Sequence, residues 1–236
     1  TQNRLAMVES RLRQYGDVAD SPSLDYHHAH ARVRALFDGP GGGGAITGFV
    51  HETESEDPLR ARAARYGLVL ALIKQGDHER AVENATALRV DYPEYLLYAI
   101  ALAEALLADG KADEAVAVLE STEDKGEISV TVAYYLGDAL MKSGQLDEAR
   151  LRLRSALRRS PSEAALYKLL ARVEGERDQW AQSFQALAEY HFLRDELDQA
   201  LGHLQTAATH ADDSAYLKAS IDARIKEIER MPGKTK

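Results

Sequence analysis

Leu136-Gly137-Asp138-Ala139-Leu140-Met141-Lys142-Ser143-Gly144-Gln145-Leu146-Asp147-Glu148-Ala149 decides the fold. Two stretches rich in good helix formers flank a short turn centred on Gly144. A leucine stands eight residues before that glycine and an alanine five residues after it. The small residue allows the second helix to approach the first closely, and the leucine fills the space between them.

A step of 34 residues in either direction finds the pattern again. The turn position reads Gly76, Gly110, Gly144 and Asp178, and Asp is one of the few residues besides Gly that tolerate a left-handed backbone. The leucine position reads Leu68, Leu102, Leu136 and Leu170, and the small position Ala81, Ala115, Ala149 and Ser183. Four units in phase, over residues 62–207, resemble the tetratricopeptide-repeat (TPR) family. The third unit carries the family pattern in order, Leu136-Gly137, Gly144, Ala149, Ala156 and Pro161, without its bulky aromatics.

The six prolines fall where helices should begin or end. Ser21-Pro22 and Asp57-Pro58 read as helix starts, and Ser160-Pro161-Ser162-Glu163 reads as an N-cap serine, a first-position proline and a capping-box glutamate. The phase changes at Arg194-Asp195-Glu196, which resembles a turn but follows Asp178 by only 17 residues. The helix over 180–193 is therefore expected to close the fourth hairpin and open a fifth, whose second helix covers 197–208. A last helix over 213–230 places Leu217, Ile221, Ile225 and Ile228 on one face, as a solenoid cap requires. Upstream, helices are expected over 1–15, 22–38 and 45–54, with a flexible break at Gly39-Pro40-Gly41-Gly42-Gly43-Gly44. The expected fold is all-α: a TPR helix-hairpin solenoid with extra N-terminal helices and a C-terminal capping helix. Residues 1–56 form the N-terminal helices and linker, and 57–236 the array.

Composition narrows the function. Apolar residues make up 45% and charged residues 28%, which suits a folded chain. A net charge of −9 argues against nucleic acid and against anionic membrane surfaces. No apolar run reaches the roughly 18 residues of a membrane span. The absence of cysteine excludes disulfides and thiolate chemistry.

No catalytic constellation emerges. A zinc-protease helix needs a second His one turn after a His-Glu pair. His51-Glu52 is followed there by Ser55, and His78-Glu79 by Val82. His27, His28 and His30 are dense enough to raise a metal, but they lack an evident carboxylate or cysteine partner and read as helix-surface histidines. The glycine run lacks a Gly-Lys-Ser/Thr ending, so it is no phosphate loop. Arg150, Arg152, Arg154, Arg158 and Arg159 crowd one helix and read as a solvated face with nearby carboxylates, with docking of an acidic partner as the other reading. TPR proteins that clamp acidic chaperone tails use paired asparagines and lysines on their inner helices. Asn3 and Asn84 lie elsewhere, which disfavours that use.

In a TPR array the first helix of each hairpin lines the concave surface. That register nominates Tyr66, Leu70 and Ile73, then Leu97, Ile100, Glu104 and Leu107, then Tyr134, Asp138 and Met141, then Lys168 and Arg172. The expectation is an apolar trough with charges at its rim, suited to an extended polypeptide. The alternative is that these side chains pack between units or under the N-terminal helices.

Several segments resemble one family in particular. Thr1-Gln2-Asn3-Arg4-Leu5-Ala6, the arginine-rich helix around 29–36, Arg62-Ala63-Ala64-Arg65-Tyr66-Gly67, Leu197-Asp198-Gln199-Ala200 and Ile221-Asp222-Ala223-Arg224-Ile225 are similar to the region after the protease domain of BepA/YfgC-type periplasmic zinc metalloproteases. Those proteins join a zinc protease domain to a C-terminal TPR domain and act in assembly and quality control of outer-membrane β-barrels. The resemblance implies that this chain is the TPR half, that zinc belongs to the protease domain and not to this chain, and that the location is periplasmic. The residues themselves do not separate periplasm from cytoplasm. The implied partners are unfolded outer-membrane proteins or their assembly machinery, together with the protease domain itself. The alternative is a free-standing TPR adaptor with no attached enzyme.

Overall fold

A computed structural model describes residues 23–37, 43–122, 129–211 and 214–231. Among these residues every regular element is an α-helix, and there are twelve. They fall into two compact units, Thr1–Asp77 and His78–Lys236.

The first unit contains α1 (Leu24–Phe37), α2 (Gly43–Glu52) and α3 (Pro58–Gln75). Asp57 caps α3: its Oδ1 accepts from the Leu59 and Arg60 amides at 2.9 and 3.4 Å, and Pro58 follows at the first turn, where a missing N–H costs nothing. Helix α3 ends at Gly76 in the left-handed region, φ 86°. Both α1 and α2 pack on α3. Gly67 makes this junction possible, because a Cβ there would lie 2.5 Å from the Phe49 ring and 3.0 Å from the Ala31 Cβ. Arg34 closes the α1–α2 side. Its Nη1 donates to both Glu52 oxygens at 2.8 and 3.0 Å, and its guanidinium lies 4.2 Å from the centre of the Phe49 ring. Helix α2 begins at Gly43, so the last two glycines of the expected break are helical. The expected helix over 1–15 and the Ser21-Pro22 start lie outside the described residues. Helix α3, which the sequence reading places at the start of the array, packs with the two helices before it within the first unit.

The second unit runs α4 (His78–Asp91), α5 (Leu96–Ala108), α6 (Ala112–Glu120), α7 (Val130–Lys142), α8 (Leu146–Arg159), α9 (Ala164–Glu176), α10 (Trp180–Phe192), α11 (Leu197–Thr209) and α12 (Ala215–Glu229). Consecutive helices pack against each other, and α5 on α7 and α7 on α9 link successive hairpins. Three turns share one backbone solution. Gly110, Gly144 and Asp178 are left-handed, at φ 76°, 79° and 57°. The next amide then reaches back to the preceding helix: Lys111 to the Leu106 carbonyl, Gln145 to Leu140 and Gln179 to Glu174, each at 2.8 Å. Ala115 and Ala149 are fully buried, as the close approach of paired helices requires. Ser183 is buried in the same place, and its hydroxyl donates to the Ala171 carbonyl at 2.7 Å, so its polarity is satisfied inside the hairpin.

One helix start differs from the expectation. Ser160-Pro161-Ser162-Glu163 is a turn, closed by the Glu163 amide on the Ser160 carbonyl at 3.4 Å, and α9 begins at Ala164. Pro161 therefore sits inside the turn, where its fixed φ is equally at home. Glu163 is the cap residue and makes no side-chain capping bond.

The change of phase is real. Asp195 is left-handed at φ 61°, and α11 packs on α10. Helix α12 then closes the end, with Ile221 and Ile228 buried against Leu204 and Ala207 of α11, and Leu217 and Ile225 packed alongside.

Candidate partner-binding face

In the first unit, Tyr66 faces α1. Its hydroxyl accepts from Arg32 Nη1 at 2.8 Å, the His28 ring meets it edge-on at 5.3 Å, and only 1% of its surface is exposed. Leu70 is buried and Ile73 half-buried. Tyr66 is thus a core residue of the α1–α3 packing and no groove anchor; the covering helix comes from a segment that repeat register cannot weigh. His28 is buried beside it, and that burial, reinforced by the Arg62 charge, lowers its pKa to about 4.

His27 and His30 line a small pocket of about 170 Å³ with Tyr26, Arg34, Phe49 and Glu52. His27 Nε2 lies 3.9 Å from Asp57, while His30 stacks on Tyr26 with its pKa lowered, first by burial and then by Arg34. Among the described residues no group of three or more metal-ligating side chains comes together.

In the second unit the nominated residues divide into four kinds. Ile100 is buried and belongs to the core. Glu104 and Asp138 tie successive first helices together. Glu104 Oε1 accepts from the Tyr135 hydroxyl at 2.8 Å, and Asp138 accepts from Arg172 Nη1 at 3.5 Å and from Lys142 Nζ at 2.9 Å. Both acids are thus engaged inside the array. Leu97, Leu107, Tyr134 and Met141 remain half-buried on α5 and α7, and Lys168 and Arg172 are exposed on α9. The Lys168 ammonium lies 5.4 Å from the centre of the Tyr190 ring. What survives is a strip of apolar side chains along two first helices, bordered by two cations on a third.

The arginine-rich face of α8 has its carboxylates, as the solvated-face reading expects. Arg150 Nε and Arg154 Nη2 meet Glu174 Oε1 at 3.2 and 3.0 Å, and Arg152 Nε meets Glu148 at 2.6 Å. Arg177 Nη1 adds a contact to Glu174 Oε2 at 2.7 Å. Glu174 is 1% exposed, and sequence reading passed over it. The signal was there: 34-residue steps back from Glu174 land on Leu140, Leu106 and Leu72, so an acid stands where three units carry leucine.

A second residue overlooked in the sequence is Trp180. It opens α10, is 47% exposed, and stands over a cleft of about 440 Å³ floored by Ala171 and Gly175. Its equivalents are Leu146, Ala112 and His78, so the largest side chain occupies the position only once.

Among the described residues no helix is long and apolar enough to cross a membrane. Two tetratricopeptide-repeat profiles match residues 55–127 and 106–173. The "Beta-barrel assembly-enhancing protease" of Escherichia coli strain K12 is 24% identical over 230 residues, 98% of this chain and 47% of that protein. The "Putative beta-barrel assembly-enhancing protease" of Vibrio cholerae is 22% identical over 227 residues, 96% of this chain and 47% of its own length. The chain thus spans about half the length of these curated relatives. Solved structures share the fold: a tetratricopeptide repeat protein from Parabacteroides merdae has a TM-score of 0.54 at 14% identity, covering 93% of this chain and 89% of its own. A MamA RS-1 double mutant has a TM-score of 0.53 at 18% identity, covering 76% of this chain and 99% of its own.

Proposed function

Because the chain belongs to the tetratricopeptide-repeat family, we propose that it works by holding another polypeptide, as the partner-binding part of a periplasmic zinc protease and chaperone that serves outer-membrane β-barrel assembly. One observation carries the binding role. Leu97, Leu107, Tyr134 and Met141 keep part of their surface accessible on α5 and α7, although the hairpin cores are already filled by Leu102, Leu136 and their neighbours. Apolar area of this kind supplies affinity without demanding one sequence, which suits an unfolded polypeptide, and Tyr and Met adapt to varied partners. The link to barrel assembly is supported by the match of nearly the whole chain to beta-barrel assembly-enhancing proteases, whose names join proteolysis to barrel assembly. In this reading zinc and peptide hydrolysis belong to a protease domain, and the chain's own share is capture and presentation.

The double variant Tyr134→Ala with Leu97→Ser tests it. Binding to a urea-denatured outer-membrane barrel protein, diluted into buffer, should weaken severalfold while the helical melting transition stays in place. Normal melting with undiminished binding would refute the groove, and a much earlier melt would return these residues to the core.

A further inference from the structure

The cleft beside Trp180 has a specific structural origin. On α7 and α8 the equivalents of Gly175, Trp180 and Leu187 are Met141, Leu146 and Leu153; none is exposed, and α9 packs on both helices. One unit earlier, Leu107, Ala112 and Leu119 are likewise not exposed, and α7 packs on both α5 and α6. Both of these hairpins therefore present a surface that receives the first helix of the next. At the fourth hairpin the Asp195 turn sends α11 onto α10 and into the α12 cap. The receiving surface of α9 and α10 is left open, with Trp180 exposed and Leu187 half-buried. Gly175 deepens it, since a Cβ there would sit 3.9 Å from the Trp180 ring and 3.6 Å from Ser183 Oγ.

We propose that this cleft docks an amphipathic α-helix of a partner polypeptide, seated as the first helix of a missing repeat. The occupant's chemistry follows from the equivalent interfaces, which the chain fills with helices of 13 residues. Each such interface carries a polar tie between successive first helices, Glu104 to Tyr135 and Asp138 to Arg172. In the open cleft the corresponding row ends on Arg172, which meets Asp138 at 3.5 Å yet keeps 54% of its side chain exposed, so its guanidinium has room to share a carboxylate on the incoming helix. The partner helix presents an apolar stripe of three to four turns to Trp180 and Leu187, with an acid facing Arg172. This site is separate from the Leu97–Tyr134 strip and does not depend on its role.

The chain's single tryptophan reports directly on the cleft. The probe is a stapled, tryptophan-free peptide of residues 160–177 in which Arg172 is replaced by Glu. Titrated into the full chain, it should shift Trp180 emission to the blue and saturate. The Arg172→Glu variant of the chain should bind that peptide roughly fivefold more weakly and prefer the peptide that retains Arg. An unmoved emission spectrum overturns the proposal, and so does a shift indifferent to both charge reversals, which would mean unspecific adhesion. A blue shift that develops with concentration of the chain alone would assign the cleft to a second copy and overturn it equally. Tyr134→Ala with Leu97→Ser should leave this titration unchanged, so the two sites fail separately.

Discussion

Asp178 adopts the left-handed backbone that Gly144 adopts 34 residues earlier, φ 57° against 79°, and both turns are closed by the same 2.8 Å bond from the following amide to the helix before it. A side chain in that region carries a steric cost that glycine lacks. Asp178→Gly should therefore stabilise the fold, by about 0.5–1 kcal/mol, while Gly144→Val should destabilise it by more. Urea denaturation of the two variants reads both signs; a destabilised Asp178→Gly would mean that the aspartate side chain, not the turn backbone, sets the energy here.

Gly67 faces the opposite constraint, being helical and chosen for space. Alanine would ordinarily favour the helix by about 1 kcal/mol. Here its methyl would fall 2.5 Å from the fully buried Phe49 ring. Overpacking should win, leaving Gly67→Ala destabilised by about 1–2 kcal/mol net. A more stable variant in thermal melting would show that α2 can withdraw from α3 at little cost.

Glu174 is a buried acid among three partly exposed guanidiniums, those of Arg150, Arg154 and Arg177. Removing its charge leaves Arg150 and Arg154 facing each other, while Arg177 keeps Asp147 at 2.6 Å. Glu174→Gln should cost about 2 kcal/mol, below the full cost of breaking a buried pair because the arginines retain water. Replacement by leucine, the residue of the other three units, removes the polar group but leaves Arg150 and Arg154 without its charge. Chemical denaturation of Glu174→Gln compared with Glu174→Leu tests this; a loss under about 0.5 kcal/mol in both would reduce the cluster to surface decoration.

His28 gives the first unit an acid sensitivity. Unfolded, it takes up a proton near pH 6.5; folded, burial and Arg62 hold its pKa to about 4. The unfolded state therefore binds more protons between those values. The stability linked to this group is complete above pH 6.5, declines as pH falls through the window, and is level again below about 4, a change of about 1–3 kcal/mol. Equilibrium unfolding of the wild type and His28→Leu at pH 7 and pH 5 should show a smaller pH effect in the variant; equal slopes would place the sensitivity elsewhere.

The sequence alone determined the helices of the second unit, their turns and their pairing from α5 onward. Those features rest on local causes: a 34-residue recurrence, left-handed turn residues, and leucine and alanine at positions where paired helices meet. The tertiary structure decided which side chains remain available. Tyr66 is sealed by Arg32 and His28 of α1, Glu104 and Asp138 are drawn into ties with the next first helix, and Trp180 is left open because α11 turns away at Asp195. Repeat register fixes the face a side chain occupies on its own helix. What covers that face is supplied by another segment, and coverage is a property of packing.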